Sequence, residues 1–204
     1  MSEPAVFVID DDENSRNVVV ELVRAMQLPV SSFASAEDFL ASYAGQRPAC
    51  IVTDQRMPGM SGIDLIECLR KQDLTIPVVV VTAFADTQST VRAVRGGAIS
   101  LIEKPCNRES LWGGILEAIR LDQRNSIKDA EREDAKRKME SLTPAEAEVA
   151  EMLVEGLANK VVASRIDASL RTVEARRAAT FKKLGVASIA GMVQVWLTAN
   201  SDEP

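Results

Sequence analysis

The chain has 204 residues, with 24 basic and 30 acidic side chains, a net charge of −6 at pH 7, no histidine and three cysteines. At 46% hydrophobic and 26% charged residues, it has the composition of a folded protein rather than a disordered or disulfide-stapled one. The lack of histidine excludes histidine-based triads, histidine metal ligands and a phosphohistidine on this chain, because each requires an imidazole. This length accommodates one large or two small domains.

The three cysteines, Cys50, Cys68 and Cys106, lack metal-binding spacing, and two of them lie in apolar surroundings. This pattern favours unpaired thiols in a reducing compartment. The amino terminus has no basic stretch followed by an apolar core, and no apolar run approaches the roughly 18 residues needed to cross a bilayer. We therefore expect a cytoplasmic protein with no membrane segment.

Charge is distributed unevenly along the chain. Residues 1–119 carry 10 basic and 16 acidic side chains, residues 120–140 carry 7 and 6, and residues 141–204 carry 7 and 8. In the middle segment aliphatic residues become rare and charges alternate in sign, which is typical of a solvated helical linker. We predict one domain at residues 1–120, a charged helical linker at residues 121–140 and a second domain at residues 141–204.

Short apolar runs alternate with amphipathic segments in the first domain. The predicted strands are residues 6–9, 30–33, 50–52, 78–81 and 99–102. Most of them are rich in β-branched residues and nearly continuous, as in strands buried on both faces of a parallel sheet. Apolar side chains on one helical face at residues 18–26 and 111–119 indicate helices. The alternation predicts an α/β fold with a doubly wound, five-stranded parallel sheet, whose functional groups lie beyond the carboxyl ends of the strands.

The second domain contains helical patterns only. Thr143, Pro144 and Glu146 form an N-cap, a first-turn proline and a capping-box partner, which predict the start of a helix. Further helices are predicted over residues 160–166, 170–184 with Ser169 as N-cap, and 188–197. Four short helices in about sixty residues predict a small all-α bundle or a helix-turn-helix module.

Charged and polar side chains stand at the ends of the predicted strands. Asp10 and Asp11 follow the first strand, Asp54 the third, Thr82 the fourth and Lys104 the fifth. These ends meet at one edge of a parallel sheet, so the side chains are expected to share a pocket. Three crowded carboxylates repel one another, and a hard divalent cation such as Mg²⁺ relieves that repulsion.

Such a pocket suits phosphoryl transfer to a carboxylate. We assign Asp54 as the nucleophile, because Asp10 and Asp11 are adjacent and better placed to bind the metal. Lys104 and Thr82 would neutralise charge on the phosphoryl oxygens. Taken singly, each residue has a structural alternative, such as a helix cap for Asp10 or a turn residue for Asp54. Their joint occurrence at strand ends favours the pocket.

Four sequence blocks in the first domain resemble the receiver domain of bacterial two-component response regulators, over roughly residues 4–120. The blocks are Val8-Ile9-Asp10-Asp11, Asp54-Gln55-Arg56-Met57-Pro58-Gly59-Met60-Ser61-Gly62, Val81-Thr82-Ala83 and Glu103-Lys104-Pro105. The resemblance implies a flavodoxin-like fold in which Asp54 accepts a phosphoryl group from a sensor histidine kinase. It also implies a cis peptide bond between Lys104 and Pro105.

The same resemblance implies roles for the surrounding residues. The implied ligands of Mg²⁺ are Asp10, Asp11, Asp54 and the main-chain carbonyl of Arg56. Thr82 and Lys104 are implied to sense the phosphate. Leu101 stands at the switch position, where the family usually has an aromatic residue, and this departure puts the usual threonine-to-aromatic relay in question.

Blocks in the second domain resemble the helix-turn-helix of the LuxR and FixJ type, over roughly residues 141–199, which indicates a regulator of the NarL/FixJ family. The blocks are Leu142-Thr143-Pro144, Glu148-Val149, Gly156-Leu157-Ala158-Asn159-Lys160, Arg171-Thr172-Val173-Glu174 and Lys183-Leu184-Gly185-Val186. The resemblance implies that the helix at residues 170–184 enters the DNA major groove. In this domain Asp167 occupies a turn position where the family usually has glycine, and a left-handed backbone is expected there.

The charges of this helix agree with DNA binding, since residues 171–183 hold five basic side chains against one glutamate. Basic side chains set affinity by neutralising phosphates, while few residues read base edges. The residues assigned to contacts with the DNA phosphate backbone are Lys160, Thr172, Arg177 and Lys182. The residues assigned to the surface that faces the DNA groove are Glu174, Ala175 and Ala178. Arg176 lies between these two groups and is assigned an intermediate role. The structural alternative is a basic, solvated helix face.

Together these features predict a phosphorylation-controlled transcription regulator, not an enzyme. Phosphorylation is expected to make the receiver form a homodimer or release the second domain, so that paired recognition helices bind two DNA half-sites. One alternative is a receiver that no longer switches and serves as a protein-binding module, suggested by Leu101. Another is an Mg²⁺-dependent aspartyl-phosphate phosphatase. That class usually has a second carboxylate two residues after the nucleophile, where this chain has Arg56.

Overall fold

The computed structural model describes residues 3–83 and 87–201, except for the side chains of residues 87–89. The chain divides into two compact units, Met1–Ser126 and Ile127–Glu203. Within the described ranges, none of the helices combines the length and the apolar character needed to cross a bilayer.

Strands and helices alternate in the first unit. They are β1 (Ala5–Ile9), α1 (Glu13–Arg24), β2 (Val30–Phe33), α2 (Ala36–Ser42), β3 (Ala49–Asp54), α3 (Gly62–Lys71), β4 (Val78–Thr82), α4 (Thr87–Gly96), β5 (Ser100–Glu103) and α5 (Arg108–Glu140). The strands pair in parallel in the order β2-β1-β3-β4-β5. The predicted doubly wound, five-stranded parallel sheet is therefore confirmed. Each strand begins and ends within two residues of its predicted bounds.

The central strands owe their nearly continuous apolar sequences to burial on both faces. Every residue of β3 and β4 is buried. Alternate side chains face two separate cores, one containing Val52 and Val81 with helices α1 and α5, the other containing Ile51 and Val80 with helices α2 and α3. Asp54 lies opposite Val81 in the register, at the carboxyl end of the most central strand. The sheet thus carries this carboxylate to one edge from a rigid, fully buried strand.

Four helices follow in the second unit. They are α6 (Pro144–Val154), α7 (Asn159–Arg165), α8 (Leu170–Leu184) and α9 (Ile189–Ala199). The capping box of Thr143 and Glu146 and the Ser169 N-cap are both present, as predicted. The core of this unit consists mainly of Val149, Ala150, Leu153, Val162, Ala163, Val173, Leu184 and Met192. The small all-α domain is confirmed, and Asp167 has the expected left-handed backbone with φ 48°.

A buried ion pair lies at the amino end of β3, away from the carboxyl edge. Asp122 of α5 is fully buried, and its Oδ1 lies 2.7 Å from Nη2 of Arg47. Arg47 Nε donates to the same carboxylate, and the main-chain N–H of Ala49 donates to Asp122 Oδ2 at 2.7 Å. Asp122 therefore connects helix α5 to Ala49, the first residue of β3, the strand that ends in Asp54.

Breaking this pair from the arginine side is expected to be costly, because it leaves a carboxylate buried without its counter-charge. We expect Arg47→Met to lower the free energy of unfolding by about 3–5 kcal/mol in urea titrations at pH 7. The matched control is Arg24→Met, which breaks an exposed pair with Glu21 and is expected to change stability by less than about 1 kcal/mol. Equal effects of the two substitutions would contradict the structural role of Asp122.

Candidate functional site

A cavity of about 220 Å³ lies at the carboxyl edge of the sheet. It is lined by Asp10, Asp11, Asp12, Asp54, Arg56, Thr82, Ala83 and Lys104. The structure thus brings together all six residues that the sequence assigns to the metal and phosphate pocket. The sheet explains this, because each residue stands at or just beyond the end of β1, β3, β4 or β5.

Lys104 joins two of the carboxylates in this cavity. Its Nζ lies 2.8 Å from Asp10 Oδ2 and 2.6 Å from Asp54 Oδ1. Both aspartates are buried, with exposed fractions of 3% and 8%. Burial by itself lowers the pKa of Lys104, but the hydrogen bonds and negative charges of Asp10 and Asp54 outweigh it and raise the pKa above its usual value. Lys104 therefore remains a cation and offsets part of the repulsion between the two carboxylates.

The Asp54 carboxylate is oriented through both of its oxygens. Oδ1 contacts Lys104, and Oδ2 accepts a 2.6 Å hydrogen bond from the main-chain N–H of Arg56. Gly62, the first residue of α3, packs directly against this residue, because a Cβ there would collide with the carbonyl oxygen of Asp54. The start of α3 thus packs against the end of β3, while Lys104 and the Arg56 N–H hold the Asp54 side chain at the cavity wall.

The first turn of α1 holds Asp10 in a similar way. Asp10 Oδ1 accepts from the N–H of Asp12 at 3.0 Å, Oδ2 accepts from the Ser15 hydroxyl at 2.7 Å, and Arg16 Nη1 donates to the Asp10 carbonyl at 2.7 Å. Asp12 itself is the N-cap of α1, the structural role considered for this acidic run. Ser15 and Arg16 were not identified from the sequence. Their only signal is their position in the first turn of a helix that starts beside the pocket.

The oxygen donors around the cavity fit a hard cation. Among the described residues, no three acidic or cysteine side chains converge as a ready-made metal site, and Lys104 lies between Asp10 and Asp54. The predicted Mg²⁺ ligands, however, also include the main-chain carbonyl oxygen of Arg56 and the carboxylate of Asp11, which is exposed at the cavity. Carboxylate and carbonyl oxygens without sulfur or imidazole suit Mg²⁺ rather than a softer metal.

The proposed switching residues occupy two neighbouring strands. Thr82 is buried at the end of β4 and lines the cavity, opposite Glu103 in the register. Leu101 is half-buried on β5, opposite Val80. The cis peptide bond between Lys104 and Pro105 is present, as the family resemblance implied.

Gln55 is an unusual residue beside Asp54. It is only 5% exposed, and its Oε1 has no hydrogen-bond donor within the described part of the chain. The sheet register places Gln55 beside Thr82, one position beyond the pair formed by Asp54 and Val81. A buried acceptor without a partner costs about 1–3 kcal/mol, so this side chain lowers the stability of the resting fold.

Replacing the amide with an apolar chain of similar length should therefore stabilise the protein. We expect Gln55→Met to raise the free energy of unfolding by about 1 kcal/mol, measured by urea titration. Gln123→Met, at an exposed position of α5, serves as the control and should leave stability within about 0.5 kcal/mol of wild type. A loss of stability in Gln55→Met would contradict this expectation, because it would show that the Gln55 amide makes a stabilising hydrogen bond.

Helix α8 has a buried face and an exposed face. Val173, Thr180 and Leu184 are buried and face the core of the second unit. The exposed residues are Leu170, Arg171, Glu174, Ala175, Ala178, Lys182 and Lys183. The three residues assigned to the groove surface, Glu174, Ala175 and Ala178, are thus all on the exposed face. Among the other assigned residues, Lys160 is exposed, whereas Thr172, Arg176 and Arg177 are half-buried.

Two basic side chains of α8 make contacts inside their own unit. Lys183 Nζ lies 2.6 Å from Glu146 Oε2 and donates to the Ser141 carbonyl at 3.1 Å. Hydrogen bonds from Lys183 and from the N–H of Thr143 lower the pKa of Glu146 to about 2. Arg177 donates to Asn159 Oδ1 at 3.5 Å. The basic charges of this helix are therefore not equivalent, because some of them help to hold the domain together.

Two family models match the chain. Residues 6–115 match the response regulator receiver domain, and residues 140–196 match the bacterial regulatory proteins of the luxR family. The transcriptional regulatory protein FixJ of Bradyrhizobium diazoefficiens is 33% identical over 194 residues, covering 95% of each protein. The response regulator protein TodT of Pseudomonas putida is 31% identical over 190 residues, covering 93% of this chain and 84% of TodT.

Solved structures give the same result. The response regulator StyR is 34% identical, with a TM-score of 0.83 over 96% of this chain and 98% of StyR. Full-length FixJ from B. japonicum is 32% identical, with a TM-score of 0.59 over 98% of both chains. The chain therefore belongs to the two-component response regulators of the NarL/FixJ family, phosphorylation-controlled transcription regulators that join a receiver domain to a LuxR-type helix-turn-helix domain.

Proposed function

We propose that Asp54 is the phosphoacceptor of this regulator and that its phosphorylation controls DNA binding by α8. The observation that carries the proposal is that Lys104 pairs with both Asp54 and Asp10 in the cavity at the carboxyl edge of the sheet. A carboxylate held beside a cation, in a cleft open to an incoming group, is suited to attack a phosphorus atom.

In the transfer step, an oxygen of Asp54 attacks the phosphorus of a phosphohistidine. The new P–O bond forms an acyl phosphate, the P–N bond breaks, and its electron pair stays on the imidazole nitrogen. The histidine belongs to a sensor kinase, because this chain has none. The Arg56 N–H orients the Asp54 carboxylate, while the Lys104 ammonium and the Thr82 hydroxyl contact the transferred phosphoryl oxygens.

The pocket also has the donors for a cation cofactor. Asp10, Asp11, Asp54 and the Arg56 carbonyl would hold Mg²⁺, and bound Mg²⁺ supplies positive charge that offsets the charge on the phosphoryl oxygens. Lys104 supplies a second positive charge beside Asp10 and Asp54. The transferred phosphoryl group carries about −1.5 to −2 charge in place of the single negative charge of the Asp54 carboxylate, and this bulkier, more negative group is enough to reposition nearby groups.

The domain boundaries follow the same proposal. The receiver comprises residues 1–120, the linker residues 121–140 and the DNA-binding domain residues 141–204. The family matches at residues 6–115 and 140–196 support these boundaries, and the continuous helix α5 supports a helical linker. Phosphorylated chains form a homodimer that binds two half-sites on double-stranded DNA about one helical turn apart. The protein acts in the cytoplasm and is a regulator rather than an enzyme.

The exposed face of α8 supports the division of DNA contacts. Glu174, Ala175 and Ala178 are exposed and face the groove, with Arg176 beside them, while Lys160, Thr172, Arg177 and Lys182 contact the phosphate backbone. Ala175 and Ala178 offer no side-chain hydrogen bonds to bases, and the Glu174 carboxylate offers acceptors but no donors. Arg176 is therefore the side chain of this group able to recognise guanine bidentately.

Phosphorylation of Asp54 is tested with acetyl phosphate and Mg²⁺. We expect the wild-type chain to gain one labile phosphate on Asp54 by mass spectrometry and to bind DNA more tightly, and Asp54→Asn to do neither. Asp38→Asn, in the exposed first turn of α2, is the control and should behave as wild type. Phosphate on Asp54 with unchanged DNA binding would support the non-switching module suggested by Leu101. Sustained turnover of phosphate esters would support the phosphatase.

The role of α8 is tested with two adjacent lysines. Lys182 is exposed, whereas Lys183 is paired with Glu146. We expect Lys182→Gln to weaken binding to a mixed-sequence duplex and to reduce the slope of log affinity against log salt by about 1, with little change in stability. Lys183→Gln should keep the wild-type slope.

The stability of Lys183→Gln provides a second readout. Because the folded pKa of Glu146 is depressed, its contact with Lys183 stabilises the domain above about pH 4.5 and is lost as the pH falls towards about 2. We expect Lys183→Gln to unfold at a lower temperature than wild type at pH 7, and the difference to shrink as the pH falls. A changed salt slope in Lys183→Gln alone would reverse the assignment of the two lysines.

A further inference from the structure

Ser15 occupies an unusual position in the first turn of α1. Its main-chain N–H donates to the N-cap Asp12, a contact that needs no side chain. Its hydroxyl points the other way and donates to Asp10 Oδ2 at 2.7 Å. The helix start therefore remains capped whatever residue stands here, and the hydroxyl is available for a separate function.

The oxygen that Ser15 contacts is shared with Lys104. Asp10 Oδ2 lies 2.7 Å from the Ser15 hydroxyl and 2.8 Å from Lys104 Nζ, while Lys104 Nζ also lies 2.6 Å from Asp54 Oδ1. Lys104 thus divides its donors between two carboxylates. Ser15 has a single proton to donate, and it is directed to Asp10 alone.

We propose that Ser15 is a positioning residue that holds Asp10 as a ligand for the divalent cation. This inference rests on the proposed function, because Lys104 must change partners when a cation or a phosphoryl group enters the cavity. At that point Ser15 keeps Oδ2 of Asp10 in place, and the N–H of Asp12 keeps Oδ1 in place. Hydrogen bonds to a ligating carboxylate fix its orientation and sustain metal affinity.

A merely structural role for Ser15 has a different signature. In that case the loss of the hydroxyl would lower stability equally with and without the cation. A positioning role instead changes the affinity for the cation and leaves the metal-free fold close to wild type. The two roles are thus separated by measuring cation binding and metal-free stability on the same variants.

The experiment is a calorimetric titration of the full, unphosphorylated chain with Mg²⁺ alone. We expect Ser15→Ala to bind Mg²⁺ about tenfold more weakly than wild type, and to gain less thermal stability than wild type at a fixed, sub-saturating concentration of Mg²⁺. Ser15→Thr keeps a hydroxyl and should bind within about twofold of wild type by the same reasoning. Asn14→Ala, at the exposed neighbouring position, is the control for the helix start.

Three results would count against this role. Wild-type Mg²⁺ affinity in a folded Ser15→Ala protein would overturn the role of Ser15 and leave the metal site intact. No Mg²⁺ binding by the wild-type chain would overturn the metal site of the proposed function, and the Ser15 role with it. Should Ser15→Ala not fold, the same titration of Ser15→Cys decides, because a thiol is a weak donor of similar size; wild-type affinity there overturns the role, and weakened binding supports it.

Discussion

The placement of one ammonium between two buried carboxylates is the interaction on which this receiver depends. Asp10 and Asp54 come from different strands, and each is almost fully buried at the same edge of the sheet. Two such charges repel strongly in a site with little water. Lys104 contacts both of them and makes their proximity tolerable. The same arrangement leaves a pocket in which added negative charge has one cation already in place.

The central strand β3 has an ion pair at each end, and the two pairs differ in which partner belongs to the strand side: an aspartate at the carboxyl end and an arginine at the amino end. At its carboxyl end, an aspartate of the strand contacts a lysine that follows β5. At its amino end, Arg47, two residues before the strand, contacts an aspartate of α5, which also accepts the first N–H of the strand. Because β3 is buried throughout, it has little freedom to shift along its axis. A change at Asp54 is therefore passed to the side chains and loops around the strand rather than absorbed by the strand.

Much of the fold and of the pocket could be predicted because its signals are local. The β-branched runs, the Thr143 capping box and the aspartates at strand ends are each readable within a few residues, and parallel-sheet topology then brings the strand ends together. The pair of Arg47 and Asp122 could not be predicted in this way. These residues are 75 positions apart, and Asp122 sits in a segment whose alternating charges indicate a solvated helix. Only its tertiary position makes it a buried counter-charge.

Some contacts within the candidate site also could not be predicted from the sequence. The sequence identifies Ser15 as one more polar residue near a helix start, and nothing in its spacing shows that its hydroxyl turns towards Asp10. Gln55 follows Asp54 in one of the sequence blocks, yet only burial shows that its amide oxygen is left without a donor among the described residues. The resemblance to a family identifies residue types at motif positions. It does not show the contacts that these side chains and their neighbours make in this chain.

Electrostatics limits how phosphorylation is able to act on DNA binding. The first 119 residues carry the whole net charge of −6, and replacing the Asp54 carboxylate with an acyl phosphate of about −1.5 to −2 charge makes that domain more negative by about 0.5 to 1 charge. Attraction to the DNA backbone cannot increase through this added charge, and at physiological salt its field is screened within about 8 Å. The proposed gain in affinity therefore depends on geometry. In that proposal the receiver either frees α8 or brings two copies of it to the spacing of adjacent half-sites, and both routes would let the exposed, basic face of α8 bind without a change in its own charge.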